Sequence, residues 1–121
     1  MNDKKENILL TKSFRFAIRI VKLYQYLKEN NIEFVLSKQL LRSGTAVGAL
    51  VREAQNAESK ADFVHKLGIA QKECDESIYW IELLKETNYL KEVEYENIKS
   101  DATELLKIIK SSIITVKAKY L

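Results

Sequence analysis

The sequence predicts an all-α protein, an antiparallel up-down-up-down four-helix bundle. Three observations carry this. Apolar residues recur at alternating steps of three and four along four long segments. No segment alternates apolar and polar residues as a half-buried strand would. Proline is absent and glycine occurs only three times, so few sharp turns are available. The 121 residues suit one domain, taken as 1–121, and suffice for a core without disulfide or metal.

The first helix is expected over about 8–29. Two apolar stripes run along it: Leu10, Phe14, Ala17, Val21, Tyr24, and beside them Leu9, Ser13, Phe16, Ile20, Leu23, Leu27. Together they are wider than a two-stranded coiled coil needs, so this helix should touch at least two neighbours. Arg15, Arg19, Lys22 and Lys28 flank the stripes as a solvated face. Asn30-Asn31 supplies the stop, because asparagine tolerates the left-handed conformation.

The second helix is expected over about 34–57, with the stripe Leu36, Leu40, Ser43, Val47, Leu50, Ala54, Ala57. A second line reads Leu41, Gly44, Gly48, Val51. A glycine inside a helix costs ~1 kcal/mol relative to alanine. Two of them one turn apart therefore call for a reason, and close approach of another helix is the physical one. A kink is the alternative.

The connection from Gln55 to Ser59 is very short, which makes the second and third helices antiparallel neighbours. The third helix, about 60–87, opens with Ser59 and Asp62 in a variant of the capping box. Its stripe is the longest in the chain: Phe63, Leu67, Ala70, Cys74, Ser77, Ile81, Leu84. Asn88 is the expected stop, with Tyr89-Leu90 plugging the turn. The fourth helix, about 91–118, has Glu92, Glu94 and Glu96 first and Lys107, Lys110, Lys117 and Lys119 last, which complements the helix dipole. Its apolar face holds Tyr95, Ile98, Ala102, Leu105, Leu106, Ile109, Ile113 and Val116.

Composition excludes several kinds of chemistry. Di-iron bundles need paired Glu-x-x-His motifs, whereas Asp62-Phe-Val-His65 holds the only histidine. A single cysteine, Cys74, builds neither a disulfide nor a thiolate metal cluster. It lies on the apolar stripe and reads as a small core residue, in a reducing, cytoplasmic setting. No phosphate-binding glycine loop or nucleophile elbow is present. His65 has no base–nucleophile companion and reads as an exposed or interfacial residue. Met1–Asn7 is charged and unlike a signal peptide, and no run approaches the ~20 apolar residues needed to span a bilayer. The expectations are a cytoplasmic protein with no membrane contact, no cofactor, no metal and no catalytic residue.

Two polar constellations remain. Gln39 and Arg42 on the second helix should approach Glu73 and Glu76 on the third, as an interhelical or intersubunit ion-pair network that fixes register. The other constellation is basic. Lys38, Arg42, Arg52, Lys60, Lys66, Lys72, Lys107 and Lys110 are the candidate contacts to nucleic acid; the net charge of +3 permits that partner without demanding it. With acids interspersed on the third helix, a solvated face is the competing reading.

Four segments in order carry a family resemblance: Gln39-Leu-Leu-Arg-Ser-Gly-Thr-Ala-Val-Gly-Ala-Leu-Val-Arg-Glu-Ala54, Ser59-Lys-Ala-Asp-Phe63, Leu67-Gly-Ile-Ala-Gln-Lys-Glu73 and Glu76-Ser-Ile-Tyr-Trp-Ile-Glu-Leu-Leu84. The chain resembles, from about Thr11 to Val116, the bacterial four-helix proteins encoded in intervening sequences of large-subunit ribosomal RNA genes, also called the S23 ribosomal protein family. The accessory variability protein of diversity-generating retroelements looks like a relative. Arg52 departs from the usual Asn-Ile-Ala-Glu pattern of the family at that segment. The resemblance implies a ring-like homo-oligomer, typically a homopentamer, without enzyme activity. It points to structured RNA or a nucleic-acid-processing protein as partner, with a protein–protein adaptor as the alternative. Phe16, Tyr79 and Trp80, beside the core stripes, are the candidate anchors of the oligomer interface.

Overall fold

A computed structural model describes residues 3–121, with side chains from Ile8 onward. Four helices follow one another: α1 (Asp3–Glu29), α2 (Leu36–Gln55), α3 (Lys60–Glu86) and α4 (Glu92–Tyr120). No strand occurs among the described residues. Helix α1 begins earlier than the apolar pattern suggested, at Asp3, while Met1 and Asn2 lie outside the described residues.

The helix ends follow local chemistry. Asn31 and Asn88 both take the left-handed conformation, with φ of 51° and 69°, and end α1 and α3. Beyond each, the chain turns back onto its helix: the Ile32 N–H donates to the Leu27 carbonyl at 2.9 Å, and the Tyr89 N–H to the Leu84 carbonyl at 2.8 Å. Only half of the expected Tyr89-Leu90 plug is inserted, since Leu90 is buried and Tyr89 exposed. At the start of α3 the Ser59 hydroxyl accepts the Asp62 N–H at 3.0 Å. The Asp62 carboxylate reaches one residue further back than a capping box would, to the Glu58 N–H at 3.3 Å.

Helix α2 starts at Leu36 rather than near Phe34. The reason is Glu33, which the apolar pattern does not single out. Its carboxylate is folded forward under the helix and accepts the N–H groups of Val35 (2.9 Å), Leu36 (2.8 Å) and Ser37 (2.8 Å). Three of the four N–H groups that a helix start leaves orphaned are satisfied by one buried side chain. Phe34 and Val35 are left outside the helix and exposed.

Each helix packs against the next, and α1 also meets α4; among the described residues the backbones of the diagonal pairs stay further apart. Cross-helix partners advance along one helix as they recede along its neighbour. Arg42 meets Glu73 and Glu76, while Glu53 meets Lys66. Cys74 lies against Ala102, Glu82 against Lys99, and Lys85 against Glu92. The core is shared by all four helices and centres on Leu9, Ile20, Leu40, Val47, Leu67, Ile81, Leu84, Leu105 and Ile109.

All seven members of the α3 stripe are buried. In α1 only the stripe from Leu9 to Leu27 enters the core. The other stripe is turned outward: Leu10, Ala17, Val21 and Tyr24 are half-buried and Phe14 is 54% exposed. Where α2 passes α1, a Cβ added at Gly48 would stand 3.2 Å from the Ser13 carbonyl oxygen, and one at Gly44 would stand 2.9 Å from Ile20 Cγ1. The two glycines therefore serve close helix approach, and α2 runs unbroken through them.

The small polar residues of the core are satisfied locally. The Ser43 and Ser77 hydroxyls meet at 2.9 Å across the α2–α3 contact. Ser112 donates to the Ile108 carbonyl at 2.9 Å. Among the described residues no buried side-chain polar atom lacks a partner. Cys74 is fully buried, and burial first, with the Asp75 charge second, pushes its thiol up to about 12. That keeps it protonated and unreactive, as its place on the stripe predicts.

Candidate functional site

The short α2–α3 connection fixes the register that brings Arg42 onto α3. Its guanidinium bonds the Glu73 carboxylate at 2.9 Å and, with its other nitrogen, the Glu76 carboxylate. Glu76 also accepts the Trp80 indole N–H at 2.9 Å. The Trp80 bond first, and the Arg42 guanidinium after it, hold Glu76 below the usual carboxylate range against the desolvation that opposes them. This is an interhelical network with Trp80 as its fourth member. Gln39 is exposed and stands outside it. Arg42 is itself half-exposed, so the pairs clamp register more than they add stability.

Tyr79 is 56% exposed and packs edge-on to Trp80, with ring centroids 5.0 Å apart. Phe16 is different. Expected at an oligomer interface, it is 2% exposed and belongs to the core of its own chain. The inward and outward stripes of α1 are offset by a single residue, about 100° around the helix axis, and Phe16 falls on the inward one. The aromatic that this helix presents outward is Phe14.

The eight candidate cations fall into two groups. Four are engaged within the chain. Arg42 carries two carboxylates, Lys66 lies 3.7 Å from Glu53, Arg52 sits over the Phe14 ring at 5.7 Å, and Lys60 sits over the Tyr120 ring at 4.6 Å. Lys38, Lys72, Lys107 and Lys110 are exposed, and none makes an ion pair among the described residues. A phosphate that meets Arg42 or Lys66 competes with a carboxylate, and one that meets Arg52 or Lys60 shares the cation with an aromatic ring. One that meets the other four displaces only water and counterions.

Several shallow grooves run along the outside, and two of them border α1 over apolar residues. One, of about 260 Å³, opens between α1 and α4 over Leu23, Tyr26, Leu90 and Ile98. The other, of about 410 Å³, lies between α1 and α2 over Leu10, Phe14, Ala17, Gly48, Ala49 and Arg52. Among the described residues no three His, Cys, Asp or Glu side chains are grouped to hold a metal ion. His65 is exposed. No helix among them is long and apolar enough to cross a membrane.

Comparison with known proteins places this architecture. No curated protein matches the chain significantly. The crystal structure of a protein of unknown function from the S23 ribosomal protein family of Bacteroides thetaiotaomicron VPI-5482, at 1.70 Å resolution, superposes with a TM-score of 0.88 and 51% sequence identity. The match covers 90% of this chain and 97% of that one. The family model described as 23S rRNA-intervening sequence protein matches residues 5–111, so all four helices lie wholly or largely inside it. By sequence and by structure, the chain belongs to the 23S rRNA-intervening sequence protein family.

Proposed function

We propose that this chain is a non-enzymatic binding and scaffold module. In this reading it is an antiparallel up-down-up-down bundle that assembles into a ring-like homo-oligomer, a pentamer, and its ligand is structured RNA or a protein that travels with RNA. The observation that carries the reading is the group of exposed lysines without an acid partner, Lys38, Lys72, Lys107 and Lys110. Lysines that serve only to balance local carboxylates pair with them, as Lys12 does with Glu104 at 2.6 Å and Lys99 with Glu82 at 3.2 Å. Unpaired ones keep their counterions available for release to a phosphate backbone. Repetition around a ring multiplies the number of such lysines on one assembly. The family description, which names an intervening sequence of ribosomal RNA, supports RNA as the nearest polyanion.

The test is fluorescence anisotropy of a labelled, structured RNA with the Lys72→Glu, Lys107→Glu, Lys110→Glu triple variant. All three positions are on the surface, so helicity and melting should be retained. Affinity is expected to fall at least tenfold, by the loss of three phosphate contacts and their replacement with repulsion. Unchanged affinity would remove RNA from the account.

A second reading, a protein–protein adaptor without nucleic-acid contact, is favoured by a different observation: Phe14, Ile18 and Tyr79 are 54%, 42% and 56% exposed. In that case the RNA titration is flat and the apolar faces carry the function.

A further inference from the structure

Charge is divided unevenly between the two halves of the chain. From Ile8 to Arg52 there are eight basic and two acidic side chains; from Glu53 to Leu121 there are ten basic and thirteen acidic. The basic half is α1 and α2, and these are also the helices that leave an apolar face uncovered. Phe14 and Ile18, one turn apart, are 54% and 42% exposed, and Leu10, Ala17 and Val21 beside them are only half-buried. The groove between α1 and α2 runs beneath Phe14, where Gly48 lets the two backbones come together. Arg52 stands over the Phe14 ring and Lys28 over the Tyr24 ring, at 5.7 and 5.8 Å. Neither these two nor Lys38, two heptads from Arg52 on the same side of α2, makes an ion pair among the described residues.

We infer that this face docks an acidic amphipathic helix from another protein. The apolar strip argues for a protein surface over a phosphate backbone, because exposed aliphatic and aromatic side chains gain from being dried by apolar partners. The cations along its rim, which have no acid partner among the described residues, select Asp and Glu at the flanks of that helix. A second copy of this chain fits less well. Its acidic half has already spent much of its charge at home: Glu73 and Glu76 on Arg42, Glu82 on Lys99, Glu92 on Lys85, Asp101 on Arg19. The strip from Leu10 to Tyr24 spans about 21 Å at 1.5 Å per residue, which seats a helix of about four turns. The inference rests on the binding-module reading and does not depend on RNA.

The probe is a fluorescent synthetic peptide of about 15 residues, with leucine at i, i+4, i+7 and i+11, glutamate on both flanks and alanine elsewhere. A control peptide carries lysine in place of each glutamate. The acidic peptide is expected to bind, to gain helicity on binding and to weaken with salt. Phe14→Glu and, separately, Ile18→Glu should each weaken it about tenfold or more. Both positions are exposed, so circular dichroism should report an intact fold. The Lys72, Lys107 and Lys110 reversals should leave the peptide unaffected, which separates this face from the proposed RNA contacts. Equal binding of the two peptides, or none of the acidic one, would overturn the inference. So would Phe14→Glu converting the chain alone to a smaller species in sedimentation, since the face would then be a self-interface. Loss of RNA affinity in Phe14→Glu would equally overturn it and assign the face to nucleic acid.

Discussion

Gly44→Leu is expected to lower stability by about 3 kcal/mol, at the upper end of overpacking costs, measured as a shift in urea midpoint at constant slope. Gly44 is buried, and even a bare Cβ there would lie 2.9 Å from Ile20 Cγ1, with Ile20 itself fully buried. A whole isobutyl group therefore has to push α1 off α2. The control is Gly68→Ala. Nothing lies within 4 Å of a Cβ at Gly68, so the substitution meets open space inside α3. Relief of the helix cost of glycine should make that variant more stable, by roughly 0.5–1 kcal/mol. Opposite signs at two helical glycines follow from close approach at one and its absence at the other. Equal tolerance at both would mean that Gly44 is there for no packing reason.

Glu33→Gln should be the second large effect, about 2 kcal/mol, and it should depend on pH. Glu33 is 9% exposed, and its carboxylate accepts three backbone N–H groups at the start of α2. Glutamine keeps the size but loses the charge and offers one acceptor oxygen, leaving at least one N–H without a partner in a poorly solvated place. Desolvation acts to raise the Glu33 pKa, but the bonds from Leu36, Ser37 and Val35 outweigh it and the folded-state value lies below the ordinary one. The folded state thus prefers the ionised form. The stabilisation is present in full above the ordinary carboxylate pKa. It falls away as acid is added below that value, and is gone once pH drops through the folded-state pKa. Urea melts of the native chain and the variant should accordingly differ most at neutral pH and converge in acid. A gap that is constant with pH would show that the charge of Glu33 plays no part.

The readable parts of the fold are those where one pattern has one consequence. The α3 stripe is the clearest: a single apolar line on an otherwise polar helix has to face inward, and all seven of its members do. The Arg42 network was legible too, because a connection of four residues between α2 and α3 fixes which turns lie opposite. Helix α1 was harder. Two apolar stripes say that two faces are apolar, but not which one the chain itself covers, so the interface anchor was sought at Phe16 while Phe14 was read only as a member of a packing stripe. Glu33 was missed for a related reason. Helix starts are sought at Ser, Thr, Asp or Asn beside the first turn, whereas this longer side chain reaches the N–H groups from three positions before the helix. An acid closely preceding an apolar-periodic segment is the signal that would have found it.

Among the basic residues, sequence could not separate engaged from free. Arg52 and Lys60 read like Lys107 and Lys110 until the rings of Phe14 and Tyr120 are placed beneath the first two. That difference lies in tertiary packing, since each ring comes from a helix other than that of its cation. The basic character of the α1–α2 half, by contrast, stands in the sequence itself, but a net charge of +3 averages over two halves of opposite sign and does not display it.

The measurement that bears most directly on the account is a salt titration of RNA binding by the native chain. If the exposed lysines meet phosphate, log affinity should fall linearly with log salt, by roughly 0.7 to 0.9 for each phosphate neutralised. A slope of about −3 or steeper is predicted, because the four free lysines of each chain are available to take part. No binding at low salt, or an affinity indifferent to salt, would contradict the claim and leave the apolar faces of α1 and α2 as the working surface.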